Sequence, residues 1–166
     1  IKDYKKIVTM NLKNNENLIL VIGKTEGHID QSVFAINILN EKKGPPPVVN
    51  LFNEKNNGET ILKLNAEGLI NSLHDVSLGG IITAVSKMAI KGKKGFKLNK
   101  PKVLINKFDY YFGEDQGRYI IEIEPKNLSK VQKILKDNSV HYDEIGLVTE
   151  KDVIIDKEPI IHIDDL

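Results

Sequence analysis

The chain has 166 residues, 40% of them hydrophobic, and domains of about 100 to 200 residues are the norm, so one domain is expected. Its 24 basic and 23 acidic residues leave a formal net charge of +1, and their interspersed pattern argues against a nucleic-acid footprint or a polybasic membrane patch. Without any Cys, disulfides, thiolate nucleophiles and Cys-bound metals are excluded. No apolar run reaches the roughly 20 residues of a membrane span, and we expect a cytoplasmic protein with no membrane or nucleic-acid partner.

The domain organisation follows from the N-terminal segment. Residues 1–16 are polar and rich in Lys and Asn, which predicts a linker or an edge segment. Residues 17–166 are predicted to form a single α/β domain. Because the chain opens with Ile1 rather than Met, we expect it to be a piece of a longer polypeptide; the resemblance described below implies that this piece is the C-terminal domain of a multidomain enzyme.

The first predicted elements are a strand and two helices. Leu18–Ile22 is an apolar, β-favouring run ended by Gly23, which predicts a buried strand. Asp30 is a good cap for a helix over 31–39. After a proline-rich stop, residues 51–69 return to helical periodicity, with a glycine near the end as the expected C-cap.

The stretch 70–90 combines a short strand, a glycine turn and an apolar helix. Two successive glycines let backbone amides approach a ligand, and a helix N-terminus favours anions. This predicts a seat for a phosphate, although an ordinary packing connection has the same local pattern. The residues assigned to the candidate site are His74, Asp75, Ser77 as the helix cap, Gly79 and Gly80.

A second glycine-bracketed motif is FGEDQGRY, residues 112–119. It places Glu114, Asp115 and Gln116 in a turn after a predicted helix over 103–112. Such a turn can hold a metal ion, bind sugar hydroxyls or merely be solvated, and the local pattern leaves all three open.

The remaining elements are a strand over 118–123, a helix over 128–135 capped by Asn127, and three β segments over 142–148, 153–156 and 160–163. The mixed order of strands and helices predicts an α/β fold with a mixed β-sheet and helices packed on it. No pair of the 4 histidines has the spacing of a zinc site,. We assign no catalytic residue and no metal ligand.

Four motifs occur in the order IGKTEGHIDQSVF, GPPPVVNLFNEKNNGE, HDVSLGG and FGEDQGRY, and the chain then continues to IGLVTEKDVIID. Together they resemble the last domain of the synthase component, the second subunit, of phosphoribosylformylglycinamidine synthase in purine biosynthesis. The resemblance covers residues 17–163. Two positions depart from the family pattern, Leu78 in place of an Asp and Asp30 in place of a Gly.

This resemblance implies a fold similar to the C-terminal domain of aminoimidazole ribonucleotide synthetase. It also implies an ATP- and magnesium-dependent ligase that converts formylglycinamide ribonucleotide to formylglycinamidine ribonucleotide with ammonia from glutamine. The implied partners are the upstream domains, a glutaminase subunit and a small bridging subunit. The catalytic groups belong to those upstream domains, so the isolated chain is expected to be inactive.

In this family the first half of the enzyme binds ligand, and the second half carries an auxiliary nucleotide site. The implied counterparts here are His74 and Asp75 in one motif and the Glu114 turn in the other. We expect both motifs to face one cleft. We also expect a metal-nucleotide or water, rather than the nearby Arg118, to offset the repulsion between the two carboxylates.

Two other functions compete with this one. The related aminoimidazole ribonucleotide, selenophosphate and thiamine-phosphate enzymes share the domain type. Alternatively, the chain is a non-catalytic scaffold, which the apolar Leu78 on the expected ligand turn favours.

Overall fold

The computed structural model describes residues 6–101 and 104–166. The strands are β1 (Leu18–Ile22), β2 (Ser72–Asp75), β3 (Gly95–Leu98), β4 (Tyr119–Ile123), β5 (Tyr142–Thr149), β6 (Asp152–Ile155) and β7 (Ile161–His162). The helices are α1 (Val33–Asn37), α2 (Leu51–Ala66), α3 (Gly80–Gly92), α4 (Lys107–Phe112) and α5 (Leu128–Asp137).

All the strands join one seven-stranded sheet in the order β2-β4-β1-β5-β3-β6-β7. Neighbouring strands run antiparallel, except that β3 and β6 are parallel. The predicted mixed sheet is therefore confirmed. Strand β1 is third in this order, between β4 and β5, and its bounds are those that the sequence predicted.

The sheet separates two hydrophobic cores, because successive side chains of a strand point to opposite faces. In β1, Ile19 and Val21 face the core built with α3 and α4, whereas Leu20 and Ile22 face the core built with α2 and α5. All four side chains are fully buried. Burial on both faces explains why β1 reads as a continuous apolar run rather than as an alternating one.

Residues 6–16 of the N-terminal segment pack on this domain. Thr9 forms an isolated parallel bridge with Ser72 of β2. Leu12 is only 1% exposed, and its amide donates to the Met88 carbonyl of α3 at 3.0 Å. The division at residue 16 stays a prediction.

The same segment is held by a buried carboxylate. Glu122 of β4 is fully buried and accepts bonds from the Ser72 hydroxyl at 2.6 Å and the Asn17 amide at 2.7 Å. It also accepts from the backbone amides of Lys13 and Asn14 at 3.1 Å. Four donors therefore satisfy this buried carboxyl group, as burial of a polar group requires.

Two predicted helix caps are wrong. Ser32 rather than Asp30 caps α1, because Gln31 has a left-handed φ of 60° that prevents the helix from starting earlier,. Helix α3 is capped by the backbone of Gly79, with φ 82° and no side-chain bond. Ser77 instead accepts the Gly80 amide through its carbonyl at 3.0 Å.

The helix predicted over 103–112 is shorter, because it begins at Lys107 after an Asn106 cap whose side chain accepts the Phe108 amide. Residue 103 lies outside the described residues. Within 6–101 and 104–166, no helix combines the length and apolar character that crossing a membrane requires.

Candidate functional site

A cavity of about 630 Å³ opens where β1 ends, a volume typical of small-molecule sites. Its walls are the loop 23–30, the start of α2, the turn at Asp115 and Gln116, and the segment between α5 and β5 that carries Ser139 and His141. Two of the residues predicted from sequence, Asp115 and Gln116, thus line it.

The Asp115 carboxylate shapes the wall formed by loop 23–30. Its Oδ2 accepts the Glu26 and Gly27 amides at 3.1 and 3.0 Å, and its Oδ1 accepts the His28 amide at 3.0 Å. Three successive amides thus converge on one anion, an arrangement that also binds phosphates in other proteins. Here the anion is supplied by the protein itself.

Arg118 completes this cluster. It is 1% exposed and lies 3.4 Å from the Asp115 carboxylate. The guanidinium also donates to the Gly113 carbonyl at 2.7 Å and to the Thr25 hydroxyl at 3.1 Å. Burial lowers the pKa of Arg118, while the adjacent Asp115 opposes that shift.

The expectation that Arg118 does not pair with the turn is therefore wrong. A turn places residues three apart on the same side even before a strand begins, and Arg118 lies three residues after Asp115. Arg118 and backbone amides offset the negative charge of Glu114 and Asp115. A metal-nucleotide is therefore not required to relieve the repulsion between these two carboxylates.

Glu114 connects the two glycine motifs. Its Oε1 accepts the Gly79 amide at 2.8 Å and the Val33 amide, at the start of α1, also at 2.8 Å. The amide that the sequence predicted for a phosphate at α3 is thus bound to a carboxylate of the chain itself, which suits the positive end of a helix. The two motifs meet at this carboxylate, but only the second lines the cavity, through Asp115 and Gln116, so a cleft shared by both motifs stays a prediction.

The other residues of the first motif lie away from the cavity walls. His74 Nδ1 is 3.0 Å from Asp75 Oδ1, and neither residue lines the cavity. A Cβ on Gly80 would come within 2.6 Å of the Tyr111 carbonyl oxygen, so close packing against α4 accounts for this glycine. Their assignment to ligand binding stays a prediction.

Sequence reasoning missed the contribution of α2. Asn50, Asn53, Glu54 and Asn57 line the cavity, and Asn57 fixes the turn by donating to the Gly117 carbonyl at 2.9 Å. The signal was present in the NEKNN core of the second motif.

The proline-rich segment forms a further wall. His28 Nε2 lies 2.9 Å from the Pro45 carbonyl oxygen, and the Gln31 amide donates to the Gly44 carbonyl at 3.0 Å. Pro47 and Val48 then line the cavity. The first two motifs therefore build adjoining walls of the same site.

The cavity is acidic and rich in amides. Its lysine, Lys24, pairs with Glu26 at 2.6 Å, and that hydrogen bond raises the pKa of Lys24. Asp30 and Glu54 add carboxylates to the walls. Among the residues that the structure describes, no three His, Asp or Glu side chains are grouped to hold a metal. The arrangement suits binding by hydrogen bonds.

Residues 14–157 match the family described as AIR synthase related protein, C-terminal domain. The fold agrees with that of T. maritima PurL complexed with FGAR, with a TM-score of 0.79 at 20% identity over 97% of this chain and 29% of that chain. The expected similarity to this domain type is confirmed.

Curated relatives support the same assignment. The phosphoribosylformylglycinamidine synthase subunit PurL of Pelagibacter ubique is 66% identical over all 166 residues, which are 23% of that relative. The subunit PurL of Caldanaerobacter subterraneus subsp. tengcongensis is 38% identical over 156 residues, 94% of this chain and 21% of the relative. The resemblance seen in the motifs is confirmed, and the chain spans under a quarter of the length of these relatives. With 144 consecutive positions, 14–157, matching one domain family, the chain belongs to the AIR synthase related proteins, as their C-terminal domain.

Proposed function

We propose that this chain is the C-terminal domain of a phosphoribosylformylglycinamidine synthase of the PurL type. The whole enzyme converts formylglycinamide ribonucleotide, ATP and ammonia from glutamine to formylglycinamidine ribonucleotide. The observation that carries the proposal is the 66% identity to the Pelagibacter ubique subunit over the full chain. No observation favours the related kinases and synthetases.

The proposal includes the setting of the enzyme. ATP and magnesium serve the whole protein, which works in the cytoplasm with a glutaminase subunit and a small bridging subunit. Bound ATP supplies the phosphoryl group that activates the amide oxygen. The described residues lack a three-residue metal cluster, so we assign magnesium to no side chain of this domain.

Within this enzyme the domain has a binding role rather than a catalytic one. Asp115 and Arg118 hold loop 23–30 in place, and Glu114 fixes the start of α3. The cavity beside them is the proposed auxiliary ligand site, with Asp115 and Gln116 in its walls. The proposed ligand-binding set also contains residues that do not line this cavity, namely His74, Asp75, Ser77, Gly79, Gly80 and Glu114.

A domain exchange tests the function. The matching segment of the Pelagibacter ubique subunit is replaced by this chain, and amidine formation is measured with ATP and ammonia as the nitrogen source. We expect activity close to that of the parent enzyme, and none from the isolated chain. Loss of activity in a folded chimera would contradict the proposal, as would turnover by the isolated chain.

A second candidate, a scaffold domain that binds no nucleotide, is favoured by one set of observations. The Gly79 amide at the start of α3 already donates its hydrogen bond to Glu114. Leu78 on the same turn is apolar and 65% exposed. Calorimetry with ADP on a polypeptide that includes the preceding domain separates the two candidates. Binding that is lost in Asp75→Ala but kept in the exposed control Asp165→Ala supports the nucleotide site, whereas the absence of heat supports the scaffold.

A further inference from the structure

The proline-rich wall of the cavity is attached to the domain by few hydrogen bonds. This strap, residues 42–50, connects α1 to α2, and its three prolines have no amide to donate,. Three successive carbonyls, those of residues 43–45, face two side chains of the domain. The Gln31 amide donates to the first two at 3.3 and 3.0 Å, and His28 Nε2 lies 2.9 Å from the third. Gln31 and His28 thus form a clasp at the exposed surface.

The strap is stiff between two pivots. Proline fixes its own φ and restricts the residue before it, so residues 45–47 move as one rod. Gly44, before the rod, has a left-handed φ of 80°. Asn50, after it, is the N-cap of α2 and accepts the Asn53 amide at 3.0 Å. Hinges are typically loop and element-terminal positions of this kind, and rotation at both moves the rod without disturbing either helix.

The strap carries apolar side chains at the mouth of the cavity. Val48 lines the cavity and is nevertheless 89% exposed, and the neighbouring Val49 is 53% exposed. Removal of apolar surface from water is favourable. A ligand in the cavity therefore offers Val48 a surface to cover, and the rod next to it provides the means to move there.

We propose that the strap is a lid, which the clasp of His28 and Gln31 holds open and which closes over a ligand in the cavity. In the closed position Val48 covers the ligand, and the strap carbonyls exchange the clasp for water. A ligand that contacts Val48 shifts the equilibrium towards closure. This inference rests on the proposed function, which assigns an auxiliary ligand to the cavity, and adds a conformational step to it.

The accessibility of an introduced thiol tests the closure. The 166 residues contain no Cys, so Val48→Cys supplies one thiol to the domain. The matched control is Leu62→Cys, at a position of α2 that is 69% exposed and outside the cavity. A maleimide is applied to the full-length polypeptide with and without ADP, and mass spectrometry reads the peptide that carries each position. We expect ADP to slow modification at position 48 about tenfold, as for a lid that is closed about nine-tenths of the time, and to leave the rate at position 62 unchanged.

The clasp distinguishes a moving lid from a ligand that merely shields the thiol. Gln31 does not line the cavity, and Gln31→Met keeps the length of the side chain while removing its donor. We expect this variant to bind ADP about threefold to tenfold more tightly, because it weakens only the open state. Gln132→Met, on α5 and also outside the cavity, is the control and leaves the affinity unchanged. Calorimetry measures both affinities.

Each of the other outcomes overturns the lid. Unchanged rates at position 48, while calorimetry shows that ADP binds, refute the lid and leave the ligand site standing. Affinity that is equal or weaker in Gln31→Met shows a fixed wall that the clasp supports. Modification that is already slow at position 48 without ADP, relative to position 62, shows that another part of the polypeptide covers the strap. The absence of ADP binding refutes the ligand site and the lid together, and amidine formation by the same preparation tests the ligase separately.

Discussion

Neighbouring acidic residues in one turn have different partners. Glu114 binds the starts of two helices, while Asp115 binds three amides of one loop and a buried arginine. A buried charge is stable only with such partners. The side chains were visible in the sequence as a cluster, but their partners lie more than 30 residues away, apart from Arg118.

The first prediction concerns the pair of Asp115 and Arg118. Asp115→Ala leaves the guanidinium buried without its carboxylate and frees three amides, so we expect a loss of about 3–5 kcal/mol in the free energy of unfolding. Urea denaturation measures it. Gln116→Ala, at the exposed neighbouring position, is the control and should change stability by less than about 0.5 kcal/mol. A similar value for both variants would mean that the ion pair does not stabilise the loop.

The second prediction concerns alkaline pH. Burial raises the pKa of Tyr110 above its ordinary value of 10.0, and Asp143 adds to that shift. The folded state therefore holds this proton more tightly than the unfolded state. The resulting stability is complete below pH 10.0 and is lost as pH rises above it,.

Urea titrations on both sides of this pH, for the parent and for Tyr110→Phe, provide the measurement. The parent should lose up to about 1.4 kcal/mol more per pH unit than the variant does. Tyr111 and Tyr119, whose pKa values burial also raises, remain in both proteins and provide the shared background. Parallel pH profiles would show that Tyr110 ionises as it does in the unfolded chain.

At the scale of elements, the sequence predicted those whose apolar residues are contiguous or regularly spaced. Strand β1 and helix α2 follow from local pattern, because burial of their own side chains defines them. Helix starts were less predictable. The cap of α1 depends on the left-handed Gln31, and the start of α3 depends on packing against α4.

The candidate site was predictable only in part for a related reason. Both glycine motifs were recognised, and Glu114 does join them. The cavity, however, is lined by loop 23–30 and by α2, which come together only in the folded sheet. Local patterns identify turns, whereas a cavity wall depends on which turns become neighbours.

The third prediction compares two glycines. Gly80 has φ 69°, and an added Cβ would lie 2.6 Å from a backbone oxygen. Gly80→Ala should therefore destabilise the domain by at least about 1–3 kcal/mol. Gly58, within α2, has only the Tyr119 hydroxyl at 3.5 Å near the added Cβ, so Gly58→Ala should stabilise by about 0.5–1 kcal/mol. Thermal unfolding of both variants distinguishes the two effects, and destabilisation by Gly58→Ala would contradict the argument.

At the scale of the whole molecule, the N-terminal segment contributes contacts to the folded domain. Leu12 fills part of the core beside α3, and Glu122 is satisfied partly by residues 13 and 14. A linker would be dispensable, but these contacts give the segment a structural role.

The fourth prediction concerns removal of residues 1–16. Truncating a buried leucine to alanine costs about 2–5 kcal/mol in the free energy of unfolding, and we expect removal of the segment to cost more than that. Leu12→Ala alone should produce that smaller loss, and the difference reports the other contacts of the segment, among them the two backbone amides that Glu122 loses. Urea denaturation of both variants provides the comparison. Unchanged stability after truncation would establish the segment as a linker.

The bonds of Asp115 to loop 23–30 span 87 to 89 positions of the chain. Closing so long a loop is entropically unfavourable until β1 and β4, the strands that flank these positions, have paired,. The cavity wall therefore assembles late in folding, after β4 has docked beside β1. We therefore expect a newly made chain to acquire its core before its binding site, and a brief local opening of the turn to remove the site while the sheet stays intact.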